Sequence, residues 1–292
     1  MLLFNLMHGS IPVIQSLGFG LFGGGYDLTG YTDKYTYANN TVVPSTVLGL
    51  ARSGLAATGN ATVGIFGGGY SGANTTYTDK YTYSNNTVSA GTLLGLGRQP
   101  LAATGNSTVG IFGSGYQSNY TDKYTYANNT VVPSTILGAG KSLLAATGNS
   151  TVGIFGGGYN DYTGALNSTE IYTYAINTVI AGTVLGVARS GLAATGNSTV
   201  GIFGGGNANS PGANYTDKYT YSNNTVAAGT VLGLARYYLA ATGNATVGIF
   251  GGGNLTTYTD KYTYSNNTVV AGTVLGLARS SLAACSSSPG GF

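Results

Sequence analysis

The feature that most constrains this chain is a short stretch that keeps returning. Thr62-Val63-Gly64-Ile65-Phe66-Gly67-Gly68-Gly69 recurs as TVGIFGSG at 108–115 and as TVGIFGGG at 151–158, 199–206 and 246–253. A looser copy, GFGLFGGG, stands at 18–25. The first glycine of each triplet is Gly23, Gly67, Gly113, Gly156, Gly204 or Gly251, so six copies lie 43 to 48 residues apart. A period of that length over 292 residues argues for one continuous array rather than independent domains.

Each unit reads as four short strands. In residues 54–97 the first is Gly54–Ala57, followed by a turn at Thr58-Gly59-Asn60. The second is Thr62–Phe66, rich in Val, Ile and Phe and ended by the glycine triplet. A variable loop, 70–76, leads to the third strand at Tyr77–Tyr83, and Ser84-Asn85-Asn86 turns the chain into a fourth, Thr87–Leu94. No stretch has a 3.6-residue apolar period with caps, so the expected class is all-β. A lone four-stranded blade cannot bury both faces, but blades packed around an axis can.

The ends predict how the ring closes. The first-strand element occurs at 54–57, 101–103, 143–146, 191–194, 238–241 and 281–284, whereas the Ile-Phe-Gly type of strand already opens the array at 18–25. Pairing the first copy of one with the last copy of the other completes a sixth blade from both termini. The expectation is a six-bladed β-propeller over 18–285, an N-terminal arm over 1–17 and a tail over 286–292. The arm begins apolar but has no Lys or Arg, so it reads as an arm rather than a secretory signal.

The order of these parts (a base, a small apolar strand, a Gly-Asn turn, Ile-Phe-Gly-Gly, a variable loop, Asp-x-x-Tyr-x-Tyr) resembles the kelch repeat. Gly67-Gly68 and Tyr81 match its diglycine and its spaced tyrosine; its tryptophan has no counterpart, since the chain contains none. The resemblance implies a scaffold whose loops bind partners, and it implies no single activity. The units are also close copies: YTDKYTYSNNTV stands unchanged at 77–88, 215–226 and 258–269. That uniformity points to recent amplification or to design.

Charge is scarce at 7% of residues, where soluble domains carry about a quarter. A net charge of +3 is too small to argue for nucleic acid, and no run of 18 apolar residues predicts a membrane span. The acids Asp33, Asp79, Asp122, Glu170, Asp217 and Asp260 form one repeated set, and the bases Arg52, Arg98, Lys141, Arg189, Arg236 and Arg279 another. One expectation is that they pair, because an ionised group is costly to bury alone. The other is that the bases ring one face and bind anions. The tyrosines of each Tyr-x-Tyr, such as Tyr35 and Tyr37, fall on one face of a strand and predict packing between blades or platforms for sugars.

Catalytic constellations are nearly absent. His8 is the only histidine and Cys285 the only cysteine, which leaves no zinc or copper ligand set and no disulfide framework. No cofactor is expected. Asn-x-Ser/Thr sequons recur in turns, as at Asn39 and Asn60, where asparagine is also simply a good turn residue.

The candidate binding surface is the set of variable loops, with Tyr26, Tyr70, Tyr116, Tyr159, Asp161, Asn207 and Asn254, together with the six bases named above. The expected function is a non-enzymatic binding or structural module that contacts a protein or glycan through one face, in an extracellular or virion setting such as a phage tail. The alternatives are a carbohydrate-active enzyme with an axial pocket, for which the divergent Glu170 and Ile171 mark the place to look, and an amplified or engineered scaffold without a ligand.

Overall fold

The computed structural model describes residues 18–116, 118–208 and 212–288. The arm expected at 1–17, with His8, lies outside the described residues, as do Gln117 and 289–292 of the expected tail.

The chain forms a six-bladed β-propeller of four-stranded antiparallel sheets. Blade II shows the plan, from the axis outward: Ala56–Gly59, Val63–Gly67, Thr78–Thr82 and Thr87–Ala90. The second strand is buried along its whole length because a blade packs on both faces, which is why it reads as an unbroken apolar run. The outer strand is largely exposed. Blades III, IV, V and VI, with second strands Val109–Gly113, Val152–Gly156, Val200–Gly204 and Val247–Gly251, repeat the plan, and blade IV adds a small hairpin of Tyr159–Asn160 with Gly164–Ala165.

Blade I is completed by both ends of the chain. Its innermost strand is Ala283–Ser286, its second Phe19–Gly23, and Gly20 lies opposite Ser286 in their antiparallel pairing. The ring is closed as the repeat pattern predicts, and the paired strand runs through Ser286.

Two strands differ from the sequence reading by more than one residue at an end. The innermost strand of blade II is Ala56–Gly59 rather than Gly54–Ala57, because Thr58 and Gly59 still pair with Ile65 and Gly64. Gly54 instead has φ of +60° and sends its N–H to the carbonyl of Ser281 in the next linker. The outer strand ends at Ala90 rather than Leu94, since Leu94 dives into the core and the chain crosses to blade III.

Six separate hydrophobic clusters fill the boundaries between successive blades. Glycine sets how closely the blades approach. Gly67 ends its strand against the Phe112 ring of blade III, and a Cβ there would lie 2.8 Å from that ring. Gly113 meets Phe155, Gly156 meets Phe203, Gly204 meets Phe250, Gly251 meets Phe22 and Gly23 meets Phe66, so the contact runs once around the molecule.

Candidate functional site

The repeated charges settle into six buried pairs. Arg52 reaches Asp79 at 2.9 Å with both side chains fully buried, and Arg98 reaches Asp122 at 2.8 Å. Lys141–Glu170, Arg189–Asp217, Arg236–Asp260 and Arg279–Asp33 complete the set. Each base sits in the linker that enters a blade, and each acid lies on that blade's third strand. The second carboxylate oxygen of each of the five aspartates accepts a linker N–H, as from Gly49 to Asp79 at 2.9 Å. Burial pushes the Asp33, Asp79 and Asp260 carboxyls above the usual carboxylate range, against the pull of the facing guanidinium.

This corrects the reading of Arg52, Arg98, Lys141, Arg189, Arg236 and Arg279 as an anion-binding ring. They are at most 2% exposed and clamp linker to blade. Glu170, the divergent acid of blade IV, is likewise buried against Lys141. The charges left over are Lys34, Lys80, Lys123, Lys218, Lys261, Asp27 and Asp161.

On the loop face the axis opens into a cavity of about 840 Å³. Tyr26, Tyr70, Tyr116, Tyr159, Asp161 and Asn254 line it, so six of the loop residues singled out from the sequence come together there. Asn207 does not line it; its backbone pairs with Ser190 in both directions, at 2.7 and 3.1 Å. Asn254 also acts from behind, its Oδ1 accepting the Tyr237 N–H at 3.0 Å.

Tyr26, Tyr70 and Tyr159 stand on anchored backbone. Tyr70 exchanges hydrogen bonds with Ser53 at 2.8 and 3.1 Å, and Tyr159 with Ser142 at 2.7 and 2.9 Å. The Tyr26 N–H donates to the Ser280 carbonyl at 2.8 Å. Tyr116 and Tyr26 project furthest, at 68% and 57% exposed.

The sequence reading missed the second half of this wall. The two residues after five of the six linker bases also reach the mouth: Ser53 and Gly54, Gln99 and Pro100, Ser142 and Leu143, Tyr237 and Tyr238, Ser280 and Ser281, but not Ser190 and Gly191. Tyr237 and Tyr238 form an edge-to-face pair 4.8 Å apart. A signal was present, since these two positions vary between units that are otherwise near-copies.

Below the mouth the linkers hold one another in a circle. N–H groups donate from Gly54 to Ser281, from Ser281 to Tyr238, from Tyr238 to Gly191, from Gly191 to Leu143 and from Leu143 to Pro100. Pro100 has no N–H to give, so the circle of five bonds is open between Pro100 and Gly54. Deeper still, Leu55, Leu101, Leu144, Leu192, Leu239 and Leu282 collar a cavity of about 70 Å³.

The far end of the axis is closed by hydroxyls. Tyr126 bonds Thr58 at 2.9 Å, Tyr174 bonds Thr104 at 3.1 Å and Tyr37 bonds Thr242 at 2.9 Å, each tyrosine reaching the innermost strand of the preceding blade. In blade I Cys285 takes the threonine's place, 3.4 Å from the Tyr83 hydroxyl. Burial pushes the Cys285 thiol up to about 12. The Tyr-x-Tyr sets are therefore packing and hydrogen-bonding elements rather than platforms.

The inner-turn asparagines are structural too. Asn60 Oδ1 accepts the N–H groups of Thr62 and Val63, and its Nδ2 donates to Ser107 of the next blade at 3.2 Å.

Among the described residues no three His, Cys, Asp or Glu side chains gather as a metal site, and no helix is long and apolar enough to cross a membrane. No protein-family model matches the chain, and no curated protein matches it.

Proposed function

We propose that this kelch-like propeller is a non-enzymatic recognition module and that the aromatic mouth of its loop face holds the ligand, a protein or a glycan. The observation that carries the reading is the convergence of loop and linker side chains from several blades on one cavity of about 840 Å³. That volume falls in the usual range of ligand sites. The loops and linkers vary where the rest of the repeat does not, as binding surfaces on rigid scaffolds do.

The chemistry of the mouth supports binding over turnover. Asp161 is the one carboxylate among its described lining residues, whereas glycoside hydrolysis uses a pair of them in different environments. The diglycine turns, the buried linker base and the blade plan support the kelch-like assignment. An extracellular or virion-surface setting suits an exterior wetted mainly by hydroxyls and amides.

The test is a paired screen of purified protein against a glycan array and a displayed-peptide library, with a Tyr26→Ala/Tyr116→Ala variant alongside. Both rings are exposed, so the variant keeps the fold, which circular dichroism checks. Ligands captured by the parent protein and lost by the variant are expected. Capture of nothing from either panel, or equal capture by the variant, overturns the reading.

A further inference from the structure

We infer that the mouth takes an uncharged oligosaccharide, its sugar rings stacked on Tyr26 and Tyr116 and its hydroxyls paired with the serine and glutamine side chains of the linkers. The inference rests on the proposed function and names its ligand class.

Charge comes first. Every arginine of the chain and Lys141 are buried in ion pairs, and the other five lysines stand on the third strands, away from the mouth. A phosphate, sulfate or carboxylate ligand finds no guanidinium or ammonium group among the described side chains that line this cavity. The one acid among the described lining residues is Asp161.

The polar groups that remain have a particular character. Serine hydroxyls at 53, 142 and 280 and the Gln99 amide each both donate and accept hydrogen bonds. A sugar hydroxyl is also both donor and acceptor, so the two sets match. An extended proline-rich peptide, the other ligand that favours aromatic grooves, offers only carbonyl acceptors along much of its length. Half of the wall's capacity would go unused against it.

Rigidity completes the argument. Tyrosine presents a broad amphipathic face with few rotatable bonds, and Tyr26, Tyr70 and Tyr159 are fixed by backbone bonds to neighbouring linkers. Tyr237 is pinned through Asn254, which anchors the edge-to-face pair it makes with Tyr238 in the same wall. Little order has to be imposed when a sugar binds.

The experiment is isothermal titration of the full chain with neutral, anionic and cationic oligosaccharides from an array, and with proline-rich peptides, at low and high salt. Neutral glycans are expected to bind with an affinity that salt leaves unchanged. Tyr116→Ala is expected to weaken binding about tenfold and Tyr116→Phe to restore it, because stacking needs the ring and not the hydroxyl. Binding only of charged glycans, or affinity that falls steeply with salt, overturns the inference. Binding of peptides alone, lost in the Tyr26→Ala/Tyr116→Ala variant, overturns it while leaving the recognition module standing. No binding in either class overturns both.

Discussion

At the scale of single residues, closeness is enforced by what is missing. Gly67 has no Cβ because the Phe112 ring occupies that space. Gly67→Ala is expected to cost about 1–3 kcal/mol, the usual penalty for overpacking a filled core, read as a lowered midpoint in chemical denaturation. The ion pairs are just as exacting. Asp79→Asn leaves the Arg52 guanidinium buried without its counter-charge, and a loss of about 3–5 kcal/mol is expected. The double change Arg52→Met/Asp79→Leu removes both charges and should recover most of that loss in the same measurement. Recovery would show that the pair serves to fix the linker's path more than to add stability.

At the scale of the element, blade IV carries a coordinated exchange. It holds Lys141 and Glu170 where the others hold arginine and aspartate, so a shorter base meets a longer acid. In the same blade Ser168 stands where Tyr77, Tyr120 and Tyr258 lie under a guanidinium at 5.0 to 5.3 Å. An ammonium has no planar face to stack, so the ring went with the guanidinium. Lys141→Arg alone is therefore expected to destabilise the protein by about 1–3 kcal/mol through overpacking. Adding Glu170→Asp should restore it, a coupling that a double-mutant cycle on thermal midpoints resolves. Period, apolar runs and turn residues made the blades and their closure legible in the sequence, because those signals are local. The mouth was half legible. Tyr26, Tyr70, Tyr116 and Tyr159 stand in conspicuous loops, but Tyr237 and Tyr238 follow a linker base and join them only once six linkers meet at the axis. The buried state of the bases was not legible in their spacing, since a pair and a ring of free charges share the same period.

At the scale of the whole molecule, the hydroxyl belt at the far end of the axis sets the limit of alkaline stability. Burial raises the phenols of Tyr37, Tyr83, Tyr126, Tyr174, Tyr221 and Tyr264 above their ordinary value of 10.0. A folded value above the unfolded one means the stabilisation is complete below pH 10 and drains away as pH rises beyond it. Absorbance at about 295 nm is expected to reveal ionisation of these six rings only together with loss of the far-ultraviolet β signal. Closure has its own consequence at this scale. Phe19–Gly23 and Ala283–Ser286 lie side by side and antiparallel, with the ends that lead to Gly18 and Ser287 adjacent. In solution the closing strand is held by every bond of its ladder at once. Tension applied between Gly18 and Ser288 would act along those bonds, which lie perpendicular to the strands, and load them one after another. A ring closed by shared contacts would open under a pull like a zip, starting at blade I.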